Sequence, residues 1–347
     1  MKWVLSEPEI RHDAIADRWV VLVPHRAKRP REENLKEQCP FCPGNEHMTP
    51  PAWLVYSRVE GELVKLADKE DKRVDNWVIR CFPNMFPALR SDVPFEEKLG
   101  ESFFFATTSY SGFGFHYVIV ESPIHDAHPH NSSVKGLELV VEAYFDVMTK
   151  LSYEKGIKYV CLFRNYKPEA GASISHPHSQ VIALPIVPSA VRREIEAARR
   201  YNRERGGCFY CDLIELEVGS PRLVYADEHY VAVTPWASLF PFEVWIIPRR
   251  HEPNFINIHP KERKALARTL KAVLFALRKA ANDPPYNFGF HVAPARWRGE
   301  SYHWHIEIHP RIAVAGGFEL TSGMYINVVP PERAADELRT IIEKIGL

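Results

Sequence analysis

Hydrophobic positions along the chain switch between two periods, and the order of the switches repeats. Residues 16–24, Ala-Asp-Arg-Trp-Val-Val-Leu-Val-Pro, form a short apolar run that predicts a buried strand, and 115–121, Phe-His-Tyr-Val-Ile-Val-Glu, predict another. The spacing then becomes helical. Leu137, Val140, Val141, Tyr144, Phe145, Met148 and Leu151 mark one face of a helix over about 132–155, with Asn131 or Ser132 as its N-cap. A strand at 158–164 follows, and after Gly171-Ala172-Ser173 the run 181–184 closes the set.

The same elements return in the same order: a strand at 242–247, an amphipathic helix at 260–281, a strand at 286–292 and a last one at 303–309. Between the two sets, 189–205 is dense in Arg and Glu, the pattern of a solvated helix that connects two units. The chain is therefore expected to divide near residue 190, into 1–190 and 191–347. Each part is long enough to bury its own core.

Chemistry-bearing residues repeat on this frame. The first half has Cys39-Pro-Phe-Cys42, then His125, then His176-Pro-His178-Ser-Gln180; the second has Cys208-Phe-Tyr-Cys211, then His251, then His303-Trp-His305-Ile-Glu307. His125 and His176 lie 51 residues apart, and His251 and His303 lie 52 apart. Agreement that close indicates duplication. Each copy offers two thiols and two imidazoles, the ligand set of a closed tetrahedral Zn²⁺ site. In the second copy His303, His305 and His309 share a strand face with Glu307; the spacing from His251 favours His303 as the ligand. With no second His-Pro-His-Ser-Gln, that site reads as structural.

His176 and His178 point to one face of a strand, because side chains alternate with period two. Both are candidate ligands. Three other ligands already complete a tetrahedron with His176, however, which leaves His178 as a neutral imidazole able to attack phosphorus and form a phosphoramidate. Gln180, two residues on, can donate to a phosphoryl oxygen but cannot act as a base towards water, which favours transfer over hydrolysis. Arg26, Lys28 and Arg29 suit a clamp on a diphosphate, or are a solvated basic turn. Gly171-Ala172-Ser173 offers backbone N–H groups and a hydroxyl to phosphate.

Composition narrows the partners. Lys plus Arg and Asp plus Glu both number 44, so no surplus of positive charge speaks for nucleic acid; a small phosphorylated ligand fits. Four of the six cysteines lie in the two Cys-x-x-Cys pairs, which argues for metal rather than disulfides and for a reducing, cytoplasmic compartment, with Cys81 and Cys161 as buried thiols. Charge interrupts the first residues before an export leader could form, and no run approaches about 18 apolar residues, so neither secretion nor a membrane is expected.

The chain resembles galactose-1-phosphate uridylyltransferase, a branch of the histidine triad superfamily, over nearly its whole length. The resemblance is carried by Pro24-His25-Arg26-Ala27-Lys28-Arg29-Pro30, Cys39-Pro-Phe-Cys42, Ser122-Pro-Ile-His125, Asn165 through Ser173 to His176-Pro-His178-Ser-Gln180, and Gly317-Phe318-Glu319-Leu320. It implies an α+β protein of duplicated histidine-triad fold, two antiparallel-sheet halves each with covering helices. His178 becomes the uridylylated nucleophile in ping-pong transfer of UMP from UDP-glucose to galactose 1-phosphate, and Gln180 steadies the phosphoryl group. Cys39, Cys42, His125 and His176 become zinc ligands. Arg26, Arg29 and Ser173 contact phosphate, Asn84 and Asn165 the nucleotide, and Glu319 the hexose bound to the other subunit of a homodimer. The chain departs from the bacterial enzymes at Met85, where they have Asp, and at its second metal set. There they use a Glu with three His, and this chain offers Cys208, Cys211, His251 and His303 for zinc or iron, like the related ADP-glucose phosphorylases. An ADP-glucose phosphorylase and a non-catalytic zinc and nucleotide-binding module are the alternatives.

Overall fold

A computed structural model describes residues 7–28, 38–99, 108–299 and 301–346. Strands β1 (Glu9–Asp13), β2 (Arg18–Leu22), β6 (Glu97–Leu99) and β7 (Thr108–Ser111) form a small sheet in the order β2-β1-β7-β6. The rest of the first half comprises β3 (Leu54–Val59), β4 (Glu62–Leu66), β5 (Trp77–Pro83), β8 (Phe115–Val120), helix α1 (Val134–Ser152), β9 (Tyr159–Tyr166) and β10 (His178–Leu184). Helices α2 (Ser189–Arg205) and α3 (Phe209–Glu217) lead into β11 (Leu223–Ala226), β12 (Tyr230–Val233), β13 (Val244–Pro248), α4 (Pro260–Ala280), β14 (Tyr286–His291), β15 (His305–Pro310), α5 (Gly317–Ser322) and α6 (Pro331–Ile345).

The two halves share one eleven-stranded antiparallel sheet, ordered β11-β12-β13-β15-β14-β9-β10-β8-β5-β3-β4. The order is symmetric about its middle: β8, α1, β9, β10 on one side repeat as β13, α4, β14, β15 on the other. β14 pairs with β9, setting Asn287 opposite Asn165 and Phe288 opposite Arg164. Apolar residues of α1, α4 and α6 pack with one face of the sheet in a single core that runs across both halves. Alternation assigns Val181, Ala183, Ile306 and Ile308 to this helix-covered face. It turns His178, Gln180, His305 and Glu307 to the opposite face, where the Cys-x-x-Cys segments lie over smaller clusters.

Three expectations need correction. Residues 16–24 do contain a strand, but in the small sheet, with Val20 48% and Val21 37% exposed, because a hairpin there has no layer covering both faces. The N-cap of α1 is Ser133, whose hydroxyl accepts from Gly136 N at 3.1 Å. The side chains of Asn131 and Ser132 instead donate to the carbonyls of Asp126 and Ala127 in the preceding turn. The Arg/Glu-rich connector is helical, yet it buries Val191, Ile195 and Ala198. Cys81 is buried and Cys161 partly so. No helix among the described residues is long and apolar enough to cross a membrane.

Trp304 lies between two histidines of the second half with no exposed surface, stacked on Phe290 at 6.1 Å and edge-on to Phe255 at 5.3 Å. Trp304→Ala is expected to lower the unfolding free energy by about 3–5 kcal/mol, read by urea titration.

Candidate active site and metal centres

The cysteines and histidines of each half converge although they are distant in sequence. In the first half, Cys39, Cys42, His125 and His176 bring one ligand atom each to within 4.8 Å of one another. Cys42 Sγ lies 3.4 Å from His125 Nδ1 and 3.5 Å from His176 Nδ1. In the second, Cys211 Sγ lies 3.5 Å from His251 Nδ1 and 3.6 Å from His303 Nδ1, and Cys208 Sγ 3.7 Å from His303 Nδ1. A tetrahedral cation with legs of about 2.3 Å to sulfur and 2.0 Å to nitrogen has S···N edges of roughly 3.5 Å, so both sets fit one.

The second nitrogen of each buried histidine is held by a carbonyl. His176 Nε2 donates to Ser122 O at 2.7 Å and His303 Nε2 to Pro248 O at 2.9 Å, which turns Nδ1 towards the sulfurs. Burial lowers His176 to about 4 and His303 to about 3, keeping both neutral, as ligands must be. Burial also raises the Cys39 and Cys211 thiols to about 12, so a thiolate in either place calls for a cation beside it.

His178 opens β10 and lines a cavity of about 190 Å³. The other walls include Phe41, Met48, Pro50, Phe82, Asn84, Met85, Phe86, Ile174, Ser173 and Gln180, so His178, Gln180, Asn84, Met85 and Ser173, all singled out in the sequence, meet here. His178 Nδ1 donates to His176 O at 2.8 Å, which fixes the tautomer whose lone pair is on Nε2. Phe41, from inside the first Cys-x-x-Cys, packs edge-on against His178 with centroids 5.3 Å apart. The candidate metal-ligand segment thus also props the imidazole.

His116 on β8 was not singled out in the sequence. Its Nδ1 accepts from Ala88 N at 3.0 Å, so the ring proton resides on Nε2, 3.0 Å from Gln180 Oε1. The Gln180 carbonyl is thereby engaged and its NH₂ is the end left to face a ligand. Arg26 Nη1 lies 3.4 Å from His116 Nδ1, which attaches the turn Pro24–Lys28 to the same group. Its local sequence gave no signal, since one histidine in an apolar strand reads as core; the signal is its pairing across strands, opposite Ile182 and two places from Gln180.

Other candidates lie elsewhere. Asn165 Oδ1 accepts from Asn287 Nδ2 at 2.8 Å, at the junction of the halves, and does not line the cavity. Glu319 caps the exposed helix α5, accepting from Gly316 N at 2.9 Å. Arg29 lies outside the described residues. The N–H groups of Gly171 and Ala172 do not point to a ligand: they close their own turn on Pro168 O and Lys167 O, a turn that needs Gly171 at φ +89°.

In the second half the position of His178 belongs to His305, fully buried, with Nδ1 3.2 Å from His303 O. There Tyr210 replaces Phe41, and its hydroxyl stands 3.4 Å from His305 Nε2. Glu194, His291 and His305 form a third group whose ligand atoms lie within 4.8 Å of one another. Glu194 binds His291 Nδ1 at 3.0 Å and the Tyr302 hydroxyl at 2.7 Å; although burial opposes it, the Glu194 bond and the Glu307 charge raise His291 to about 9. Glu194 was hidden in the charge-rich connector.

Comparison with known proteins accords with this arrangement. The model of the galactose-1-phosphate uridyl transferase N-terminal domain matches residues 69–188, and a domain of unknown function (DUF4921) matches 129–345. The chain is 33% identical to an ADP-glucose phosphorylase of Arabidopsis thaliana, over 97% of its own length and 93% of that protein's. It is 29% identical to the galactose-1-phosphate uridylyltransferase of Thermotoga maritima, over 95% and 98%. A solved uridylyltransferase structure superposes with a TM-score of 0.81 at 28% identity, covering 97% of this chain and 99% of the other. The chain belongs to the galactose-1-phosphate uridylyltransferase-like family of nucleotidyltransferases.

His116→Phe keeps an aromatic ring and removes both nitrogens, leaving Ala88 N–H without its acceptor and Gln180 without its donor. The variant is expected to lose about 1–3 kcal/mol in denaturant titrations, with metal content unchanged.

Proposed function

We propose that the chain transfers a nucleoside monophosphate between a nucleoside diphosphate glucose and a second phosphate, through a covalent bond to His178. The observation that carries this reading is the His178 tautomer at the cavity wall: Nδ1–H engaged by the His176 carbonyl, lone pair on Nε2. In the first step Nε2 bonds to the α-phosphorus as the bond from phosphorus to the bridging oxygen breaks, and the sugar 1-phosphate leaves with that oxygen. In the second, a phosphate oxygen of the acceptor attacks the same phosphorus and the N–P bond breaks. Dividing the transfer in this way makes each step easier and yields ping-pong kinetics. Gln180, its carbonyl occupied by His116, offers its NH₂ to the non-bridging oxygens. Arg26, Arg29 and Ser173 serve the phosphates, and Asn84 and Asn165 the nucleotide.

Zinc is the cation we assign to Cys39, Cys42, His125 and His176 and to Cys208, Cys211, His251 and His303, where it supplies rigidity and takes no part in the bond changes. The halves 1–190 and 191–347 are then two copies of one ancestral domain, the first reactive and the second structural.

For substrates we infer UDP-glucose as donor and galactose 1-phosphate as acceptor, supported by the 0.81 superposition on a uridylyltransferase. ADP-glucose with inorganic phosphate is the second reading, supported by the 33% identity to an ADP-glucose phosphorylase and by Met85 in the cavity wall. Intact-protein mass spectrometry separates them. An adduct of UMP mass after UDP-glucose, cleared by galactose 1-phosphate, is the expected result; an AMP adduct cleared by phosphate favours the second reading. His178→Ala is expected to form neither, and an adduct retained by that variant overturns the assignment.

The surface also supports a homodimer. Residues 312–328 expose Val314 (93%), Leu320 (76%) and Val328 (77%) together with Phe318, Met324 and Ile326, a run of apolar side chains that a second copy would cover. Glu319 lies in this arm and would reach the hexose in the partner's site. Mixing His178→Ala with Glu319→Ala, each inactive alone, is expected to restore transfer through heterodimers that hold one intact site. No recovery after subunit exchange counts against the shared site.

A further inference from the structure

Behind His178, on the helix-covered face of the sheet, lies a buried polar network outside the reaction scheme above. Glu121 and Arg164 are paired at 3.0 Å with side chains 2% and 1% exposed. The Glu121 carboxylate also accepts from the Tyr144 hydroxyl at 2.6 Å and the Ser179 hydroxyl at 2.5 Å. Arg164 reaches the Tyr286 hydroxyl at 3.2 Å and His128 Nδ1 at 3.0 Å. Burying an ion pair is costly, and apolar side chains of similar volume often fill such a place with equal or greater stability.

The second half shows that apolar filling suits this layer of the fold. Strand register puts Ser179 between Ile119 and Arg164, and puts Ile306 between Ile246 and Phe290. Where the reactive half has Ser179 and Arg164, the other half has Ile306 and Phe290. The stretch Ile246-Ile247-Pro248 supplies no carboxylate. The charges therefore belong to the half whose histidine lines the cavity.

Their geometry points at that histidine. Glu121 N–H donates to Pro177 O at 3.0 Å while its carboxylate takes Ser179 Oγ–H, so one residue holds the strand on both sides of His178. The next carbonyl, Ser122 O, holds His176. We propose that Glu121, clamped by Arg164 and Tyr144, is a positioning residue that fixes the backbone about His178 and so aims its Nε2 into the cavity. The proposal rests on the reading of His178 as the nucleophile.

The test transplants the packing of the second half into the first, as Glu121→Leu/Arg164→Phe/Ser179→Ile. A role in folding alone leaves the single-turnover rate of nucleotide attachment to His178 at the wild-type value, and that result overturns the proposal. The expected result is a melting temperature equal to or above wild type, an unchanged dissociation constant for the nucleotide sugar, and attachment slower by about 100-fold, the scale of a misplaced reacting group. Should the triple variant fail to fold, Ser179→Ala decides. A loss of about tenfold, recovered by Ser179→Thr, supports the proposal, and an unchanged rate sinks it; tenfold is what one hydrogen bond of typical strength supplies. If the wild type takes label from no nucleotide sugar, the functional reading has failed rather than this one. Imidazole ¹⁵N spectra then decide: a single His178 tautomer in the wild type and an exchanging mixture in Ser179→Ala uphold positioning, while identical spectra reject it.

Discussion

The structure depends on the pairing of β9 with β14. Each half alone would present an edge strand of unsatisfied N–H and C=O groups in the middle of its apolar layer, a place where sheets aggregate. Joining the edges removes both and lets α1 and α4 lie side by side over one core. The junction is not only backbone. Asn287 Nδ2 donates to Asn165 Oδ1 and, at 2.7 Å, to Ala170 O, so a side chain of the second half holds the turn that leads to the histidine segment of the first.

Strand alternation then divides the labour on β10. His178 and Gln180 face the cavity; Ser179, between them, faces the helices and anchors to Glu121. The segment between Cys39 and Cys42 adds a third hold, since its Phe41 ring rests on His178. The duplicate strand β15 uses the same alternation for a closed outcome. Glu307 pairs with His305 and His309, the Tyr210 hydroxyl stands at His305 Nε2, and the second imidazole has no exposed surface.

Much of this was legible in the sequence, for reasons that can be named. Helices α1 and α4 announce themselves through long periodic runs, and the two convergent Cys/His clusters through Cys-x-x-Cys and His-x-His spacings that local geometry keeps constant. The duplication was visible because its stations kept their intervals. Hidden features depend on contacts across strands. His116 is one polar residue in an apolar run, and its meaning lies in Gln180 on the next strand. Glu194 sits in a helix of Arg and Glu where only the fold distinguishes the carboxylate that turns inward to His291. The union of two sheets into one leaves no periodic trace, since an edge strand and an interior strand have the same alternation. The cap of α1 was misplaced by one residue because Asn131, Ser132 and Ser133 are all good caps, and only the preceding turn decides which are already engaged.

The hydrogen bonds of Asn287 carry an evolutionary consequence. After a gene duplication a silent copy is ordinarily free to decay or to be deleted. Here the second half supplies the first with a paired strand, a helix neighbour and the Asn287 amide. The two halves are bound into one heritable unit, because losing the second would leave the β9 edge of the first unpaired and its core open. Sequence drift at Asn287 in β14 is constrained by the turn that it holds in the other half, ahead of the histidine strand.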